Sequence, residues 1–455
     1  MVCHKSMTLP LLITNSIIMY IIGIKFGYKE TAASFCNTDA VTGVVELLHI
    51  LDSQTPESCK VDTAVCRNEK NGDWQFAKDI RDYALPDFNQ HFIAPMNEIT
   101  PKNKEAFAAF VKLVFEHILE NQSFLQYNPK TGERNFELYV SCPSMWCKKN
   151  SNQKQEYKKF ISGIIPVDFI VEESKAAYFK FKAESQFPES SVLVVDVGSE
   201  RIDFTAYDEY GKLTLCEGNK HGASAIEELI YKHFEEHDED FNKAKQEGES
   251  LCKKYNLNWR DSVICYIKKE KEEFYAYETN GLMLDLSNRV ICNAKGRIFD
   301  ACVISKEQLE NEIIAPYRQT LLQDLNDVKQ HLKKEKMSVP KVVILTGEAS
   351  RMPWLQQLVK EPFSDSYVYR DTEPSYVVSV GLAYYGLAIH ESKIDSAINN
   401  LKTSIATAFH QFNKQGFSPM FTDYVLAKMQ DFLIDEHMGD YAKEEPKELI
   451  QLTKF

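Results

Sequence analysis

Two apolar segments that each run into a glycine turn stand about 170 residues apart, Tyr20-Ile-Ile-Gly-Ile-Lys-Phe-Gly27 and Val192-Leu-Val-Val-Asp-Val-Gly198. A short apolar run that stops at glycine lets backbone N–H groups point at one spot, which is the requirement for cradling a phosphate. Two such turns can face each other across a cleft, so the pair predicts a nucleotide held between two related lobes.

At 455 residues the chain exceeds one ordinary hydrophobic core and fits two lobes plus an appendage. An apolar fraction of 44% and an aromatic fraction of 12% can fill those cores. The net charge of −13 argues against nucleic acid as a bulk partner and suits an acidic cytoplasmic protein. Eleven cysteines are scattered without a CxxC pair or His-rich ligand spacing, so reduced thiols are expected. The apolar stretch 9–24 is the one hint of export, but its second half is also the first cleft strand and no A-x-A site follows. Translation from Met19 would leave residues 1–18 as a dispensable leader, and Pro10, Asn15 and Lys25 argue against a membrane span.

Strands are expected at 20–26, 31–36, 136–141, 167–173, 192–198 and 341–347, with a hairpin region at 59–71. A helix is expected near 76–83, and another over 104–120, where Phe107, Phe110, Val111, Val114, Phe115 and Ile118 share one face. Helices are also expected at 152–162 and at 305–334, where Ser305 and Gln308 form the start signal. The charged stretches 235–254 and 266–277 read as solvated helices, with Lys271 in the second. Beyond Ile389, the residues Ile394, Ile398, Leu401, Ile405, Phe409 and Phe412 form an apolar helical stripe, followed after 416–419 by a helix at 422–435. Alternating strands and helices of this kind specify an α/β fold.

Taken in order over residues 19–389, these segments resemble the ATPase domain of the seventy-kilodalton heat-shock (DnaK-type) chaperones, within the actin and hexokinase superfamily. Gly23-Ile-Lys-Phe-Gly27 stands where that family has its first phosphate loop, and Val195-Asp-Val-Gly-Ser-Glu-Arg-Ile-Asp203 where it has its second. Thr346-Gly-Glu-Ala-Ser-Arg-Met-Pro353 matches its adenosine loop, the most persuasive segment. Ile170-Val-Glu-Glu-Ser-Lys-Ala-Ala177, His221-Gly-Ala223 and residues 373–383 agree with its first inter-lobe helix, its loop after the second hairpin and its second inter-lobe helix.

The resemblance implies an actin-like ATPase fold: a leader at 1–18, lobe I at 19–205 with 374–390, lobe II at 206–373 and a helical extension at 391–455. It implies ATP or ADP with Mg²⁺ in a deep cleft and a lobe angle that a protein partner, not identified by any motif, would read. Carried over by position, Asp196 and Asp203 would hold hydrated metal or position water, Asp196 as metal ligand, and Glu172 would stand near the same metal. Gly27, Gly198, Gly222 and Ala223 would let backbone approach phosphate, Gly347 and Arg351 would bracket adenine, and Lys271 falls near a position that contacts ribose and adenine.

The pattern breaks at the phosphate loops. Lys25 occupies the place of a metal-facing aspartate, and Tyr28 and Lys29 replace paired threonines. Ser199 and Glu200 add side chains where bare backbone normally meets phosphate. The family's catalytic lysine has no clear counterpart: Lys78 is one candidate, and the strand expected at 88–95 contains no lysine. Only about 65 residues follow Ile389, without the strand-rich peptide-binding domain of the chaperones. The expected function is an ATP/ADP-dependent switch with slow or absent hydrolysis, the alternative a non-enzymatic pseudo-ATPase scaffold. A metabolite kinase or a filament-forming protein of the same superfamily finds no motif here.

Overall fold

β1 (Tyr20–Phe26) alternates residues between two apolar environments, turns tightly at Gly27 and returns as the antiparallel β2 (Glu30–Asn37). β3 (Val45–Leu47) and β4 (Lys60–Asp62) both pair along β2, and β5 (Ala64–Arg67), β6 (Trp74–Phe76) and β7 (Asn89–Gln90) form a small separate sheet. This is a computed structural model, and it describes residues 19–38, 43–52, 55–77, 87–90, 92–147, 151–185, 190–254, 258–277, 279–285 and 302–414.

α1 (Pro101–Asn121) starts at Thr100, whose hydroxyl accepts from the Asn103 N–H, and buries the expected six-residue stripe. It leads to β8 (Phe136–Cys142), parallel to β1, and α2 (Gln153–Ser162) leads on to β9 (Phe169–Glu172), parallel to β8. The first sheet therefore runs β3-β2-β1-β8-β9. β9 passes directly into α3 (Glu173–Glu184), after which β10 (Val192–Val197), β11 (Ile202–Tyr207) and β12 (Leu213–Asn219) form an antiparallel meander.

α4 (Ser224–His237), α5 (Glu239–Lys254) and α6 (Trp259–Ala276) follow, then the antiparallel pair β13 (Gly281–Leu284) and β14 (Cys302–Ser305). A short α7 (Lys306–Gln308), capped by Ser305 as expected, continues through a π turn toward α8 (Ala315–Lys334). β15 (Val342–Thr346) lies parallel to β10, and after α9 (Pro353–Lys360) comes β16 (Tyr367–Arg370), parallel to β15. The second sheet runs β12-β11-β10-β15-β16, the same strand order and directions as the first.

α3 packs Ala177, Tyr178 and Phe181 on the second sheet, against Val192, Val194 and Ile344. α10 (Val377–Lys414) packs Val378, Leu382 and Ala383 on the first sheet, against Ile21 and Tyr139. The helices meet where Gly381 faces the Ala176 backbone so closely that a Cβ at Gly381 would lie 1.9 Å from the Ala176 carbonyl oxygen. Two compact units divide the chain after Leu387, and the described part of the second is α10 from Ala388 to Lys414.

Several expectations need correction. Phe76 ends β6 and does not begin a helix, because it pairs with Val65 and buries its ring against Phe110. Of the strand expected at 88–95 only Asn89–Gln90 is paired. α6 is longer than the charged run suggested and is not simply solvated: Tyr266, Ile267, Lys271, Phe274 and Tyr275 are buried. The division between lobes at 205/206 falls inside β11, whose sheet begins at Val192. Lys78, the leader at 1–18 and the helix at 422–435 lie outside the described residues, as do the side chains of the stripe beyond Ile389.

Candidate functional site

Strand alternation decides which side chains can meet. On β1, Ile22, Ile24 and Phe26 enter the core of the first half, so Ile21, Gly23 and Lys25 face the other way; on β8 the same rule puts Tyr139 and Ser141 on that face. On the second sheet, Val195, Val197, Ile202 and Phe204 enter the larger core, which turns Asp196 and Asp203 to the face covered by α3. Lys25, Ser141, Asp196 and Asp203 thus converge from two sheets on the first turn of α3.

The acidic residue at that point is Glu173, and the expectation for Glu172 is corrected by one position. Glu172 is ion-paired to Lys154 of α2 at 2.9 Å. Glu173, the first residue of α3, accepts a hydrogen bond from the Ser141 hydroxyl at 3.3 Å and lies within electrostatic reach of Lys25, Asp196 and Asp203. The chain changes from strand to helix between the two, so the period-two alternation that points Glu172 aside stops before Glu173. Burial pushes the Glu173 carboxyl up to about 7, with Lys25 opposing the rise and Asp196 and Asp203 adding to it.

The second glycine loop folds on itself. Its Gly198 N–H donates to the Arg201 carbonyl, and the loop's carbonyls accept from the N–H groups of Gly222, Ala223 and Ser224 at 3.2, 3.0 and 2.8 Å. A Cβ at Gly222 would lie 2.2 Å from the Ser199 carbonyl oxygen, so this glycine serves loop packing. The N–H groups of Gly198, Gly222 and Ala223, expected to face phosphate, are instead engaged within the protein. Gly347 adopts a φ of 83° beside the end of β10, where a Cβ would lie 2.6 Å from an Asp196 carboxylate oxygen. Arg201 stands 3.6 Å from Asp203.

Between the two halves lies an open cleft. Of the expected residues, Lys29, Ser199, Ala223, Lys271 and Arg351 line it, together with Lys60, Glu227, Lys268 and Tyr275, which sequence reasoning did not single out. Glu227 is its buried centre: Lys271 donates to it at 2.6 Å, and Lys29, from the first loop, stands 3.8 Å from the same oxygen. Burial would raise the Glu227 carboxyl, but Lys271 and Lys29 outweigh it and hold the group below the usual carboxylate range. Tyr28, the other replacement in the first loop, donates to Glu200 of the second; burial and this bond push its phenol well above its ordinary value. Arg351 reaches Ser375 at 3.4 Å and Glu373 at 3.6 Å.

Buried oxygens of Ser199, Glu227, Thr346 and Ser350 find no hydrogen-bond partner among the described residues. Such groups are uncommon in folded proteins, and Ser199 and Glu227 belong to the wall of the cleft, where a ligand or water can satisfy them. The resemblance implies Mg²⁺, and the residues do not fit it. Lys25 stands beside Glu173, in the group that Asp196 and Asp203 also face, and supplies positive charge where a metal ion would sit. No family model matches this chain, and no curated protein matches it significantly.

Proposed function

We propose that this chain binds ATP or ADP in the cleft walled by Lys29, Ser199, Glu227, Lys271 and Arg351 and acts as a nucleotide-dependent conformational switch with little or no hydrolysis, as a divergent relative of the seventy-kilodalton heat-shock ATPases. The observation that carries this reading is the cleft itself, set between two sheets of identical strand order and lined by five cations and four carboxylates beside buried, unsatisfied oxygens of Ser199 and Glu227. Glu227 offers a buried acceptor for a sugar hydroxyl, and Lys29 and Lys271 hold that carboxylate ionised and in place. The close crossing of α3 and α10 at Gly381 is the joint through which a change at the cleft would alter the angle between the halves, and a protein partner would read that angle.

Phosphoryl transfer depends on cations placed around the transferring group. Lys25 stands beside Glu173 in the group that includes the expected metal carboxylates Asp196 and Asp203, which supports slow or absent turnover.

A second reading, a scaffold that has lost nucleotide, is favoured by one specific observation: the N–H groups of Gly198, Gly222 and Ala223 are engaged within the protein, and Tyr28 is tied to Glu200. Calorimetric titration with ATP and ADP, followed by phosphate release on the same sample, separates the two. Saturable heat supports the switch, and absence of heat with an unshifted melting temperature supports the scaffold.

A further inference from the structure

We infer that Lys25 is the built-in cation of the carboxylate group at the head of α3, standing in for a divalent metal, so that a nucleotide bound by this chain is taken up as the metal-free anion. The nucleotide half of this statement rests on the function proposed above; the displacement of metal does not.

Alternation along β1 turns Lys25 away from the core that takes Ile24 and Phe26, toward the face where Asp196 and Asp203 end on the second sheet. Its side chain folds back over the first glycine turn, and a Cβ at Gly27 would lie 3.1 Å from the Lys25 Cε. The ammonium is therefore held where the turn meets the carboxylates, next to Glu173 at the head of α3. Lys25 beside Glu173, and Arg201 at 3.6 Å from Asp203, set two positive charges against this acidic group without an added ion. A divalent cation entering this group would meet the Lys25 ammonium beside the buried Glu173 carboxyl.

The experiment has two arms. In the first, thermal unfolding of the full chain is followed with magnesium chloride alone and with potassium chloride at equal ionic strength. The wild type and Lys25→Arg are expected to show no magnesium-specific shift, whereas Lys25→Asp and Lys25→Met, which remove the resident cation, gain one. In the second arm ATP is titrated with magnesium or with EDTA, and the wild-type affinity is expected to agree within about threefold between the two media.

A magnesium-specific rise in the wild-type melting temperature overturns the inference. So does ATP affinity at least about tenfold weaker in EDTA, in which case nucleotide binding stands and Lys25 is not the substitute. A chain that binds ATP in neither medium defeats the nucleotide half together with the proposed function, and the magnesium-alone arm still decides the role of Lys25.

Discussion

The Lys271 ammonium donates to the Glu227 carboxylate at 2.6 Å, with both side chains buried and Lys29 approaching the same oxygen from the first glycine loop. This contact joins α6 to α4, and Lys29 extends it to the β1–β2 turn, so a single carboxylate links both halves of the cleft.

Removing that carboxylate leaves two ammonium groups facing each other in a poorly solvated space. Glu227→Ala is expected to destabilise the fold by about 3–5 kcal/mol, while Lys29→Ala, which leaves Lys271 to satisfy Glu227, costs less. Urea denaturation of the variants checks the order, and equal losses would show that Lys29 matters as much as Lys271.

Glu227 was legible and was missed. It falls at spacings of three, four and seven from Ile230, Tyr231 and Phe234, all buried on α4, so an acidic residue on an apolar face was already the signal of a buried, paired charge. The glycine-ended strands were legible because apolar alternation and glycine carry their own geometry, and β1, β10 and β15 form close to where they were expected. Glu172 and Glu173 were confused because the side-chain period changes between them, and only the junction of β9 with α3 reveals which one turns inward. Of the helix expected near 76–83 only Phe76 and Ala77 lie among the described residues, and tertiary pairing with β5 holds Phe76 in a strand. That the carbonyls of the second glycine loop accept from the N–H groups of Gly222, Ala223 and Ser224 could not be read from sequence, since it depends on two segments meeting in space.

Glu173 gives the stability of the fold a definite pH dependence. Unfolded, its carboxyl ionises in the ordinary range, whereas in the fold burial raises it to about 7. Between those values the folded chain holds a proton that the unfolded chain has released, so this group's contribution is fully present at acid pH and falls as pH rises to about 7. Glu173→Gln should remove that slope, matching the wild type near pH ~4 and exceeding it by about 1–3 kcal/mol above neutrality. Denaturation curves from acid to mildly alkaline pH test it; a variant less stable than the wild type above neutrality contradicts the assignment.

Close packing predicts a contrast between glycines. Gly381→Ala would force a Cβ into the Ala176 backbone, where neither helix can give way locally, and is expected to cost more than about 2 kcal/mol. Gly132→Ala has open space around it and bears only the strain of its φ of 77°, about 1–2 kcal/mol. Melting temperatures of the two variants should rank in that order.

Tyr28 and Glu200 tie the first loop to the second. Tyr28→Phe should change global stability by about 1 kcal/mol or less but raise amide exchange at residues 27–30 and 198–201. A double-mutant cycle with Glu200→Gln should then show coupling. Unchanged exchange in both loops would show that other contacts hold them together.

The most direct test of the account is calorimetric titration of the purified chain with ATP and ADP. Saturable binding that is lost or sharply weakened in Lys271→Ala, with the variant still folded, is the predicted result. No binding heat and no change in melting temperature with either nucleotide would contradict it and leave the cleft as the remnant of a scaffold.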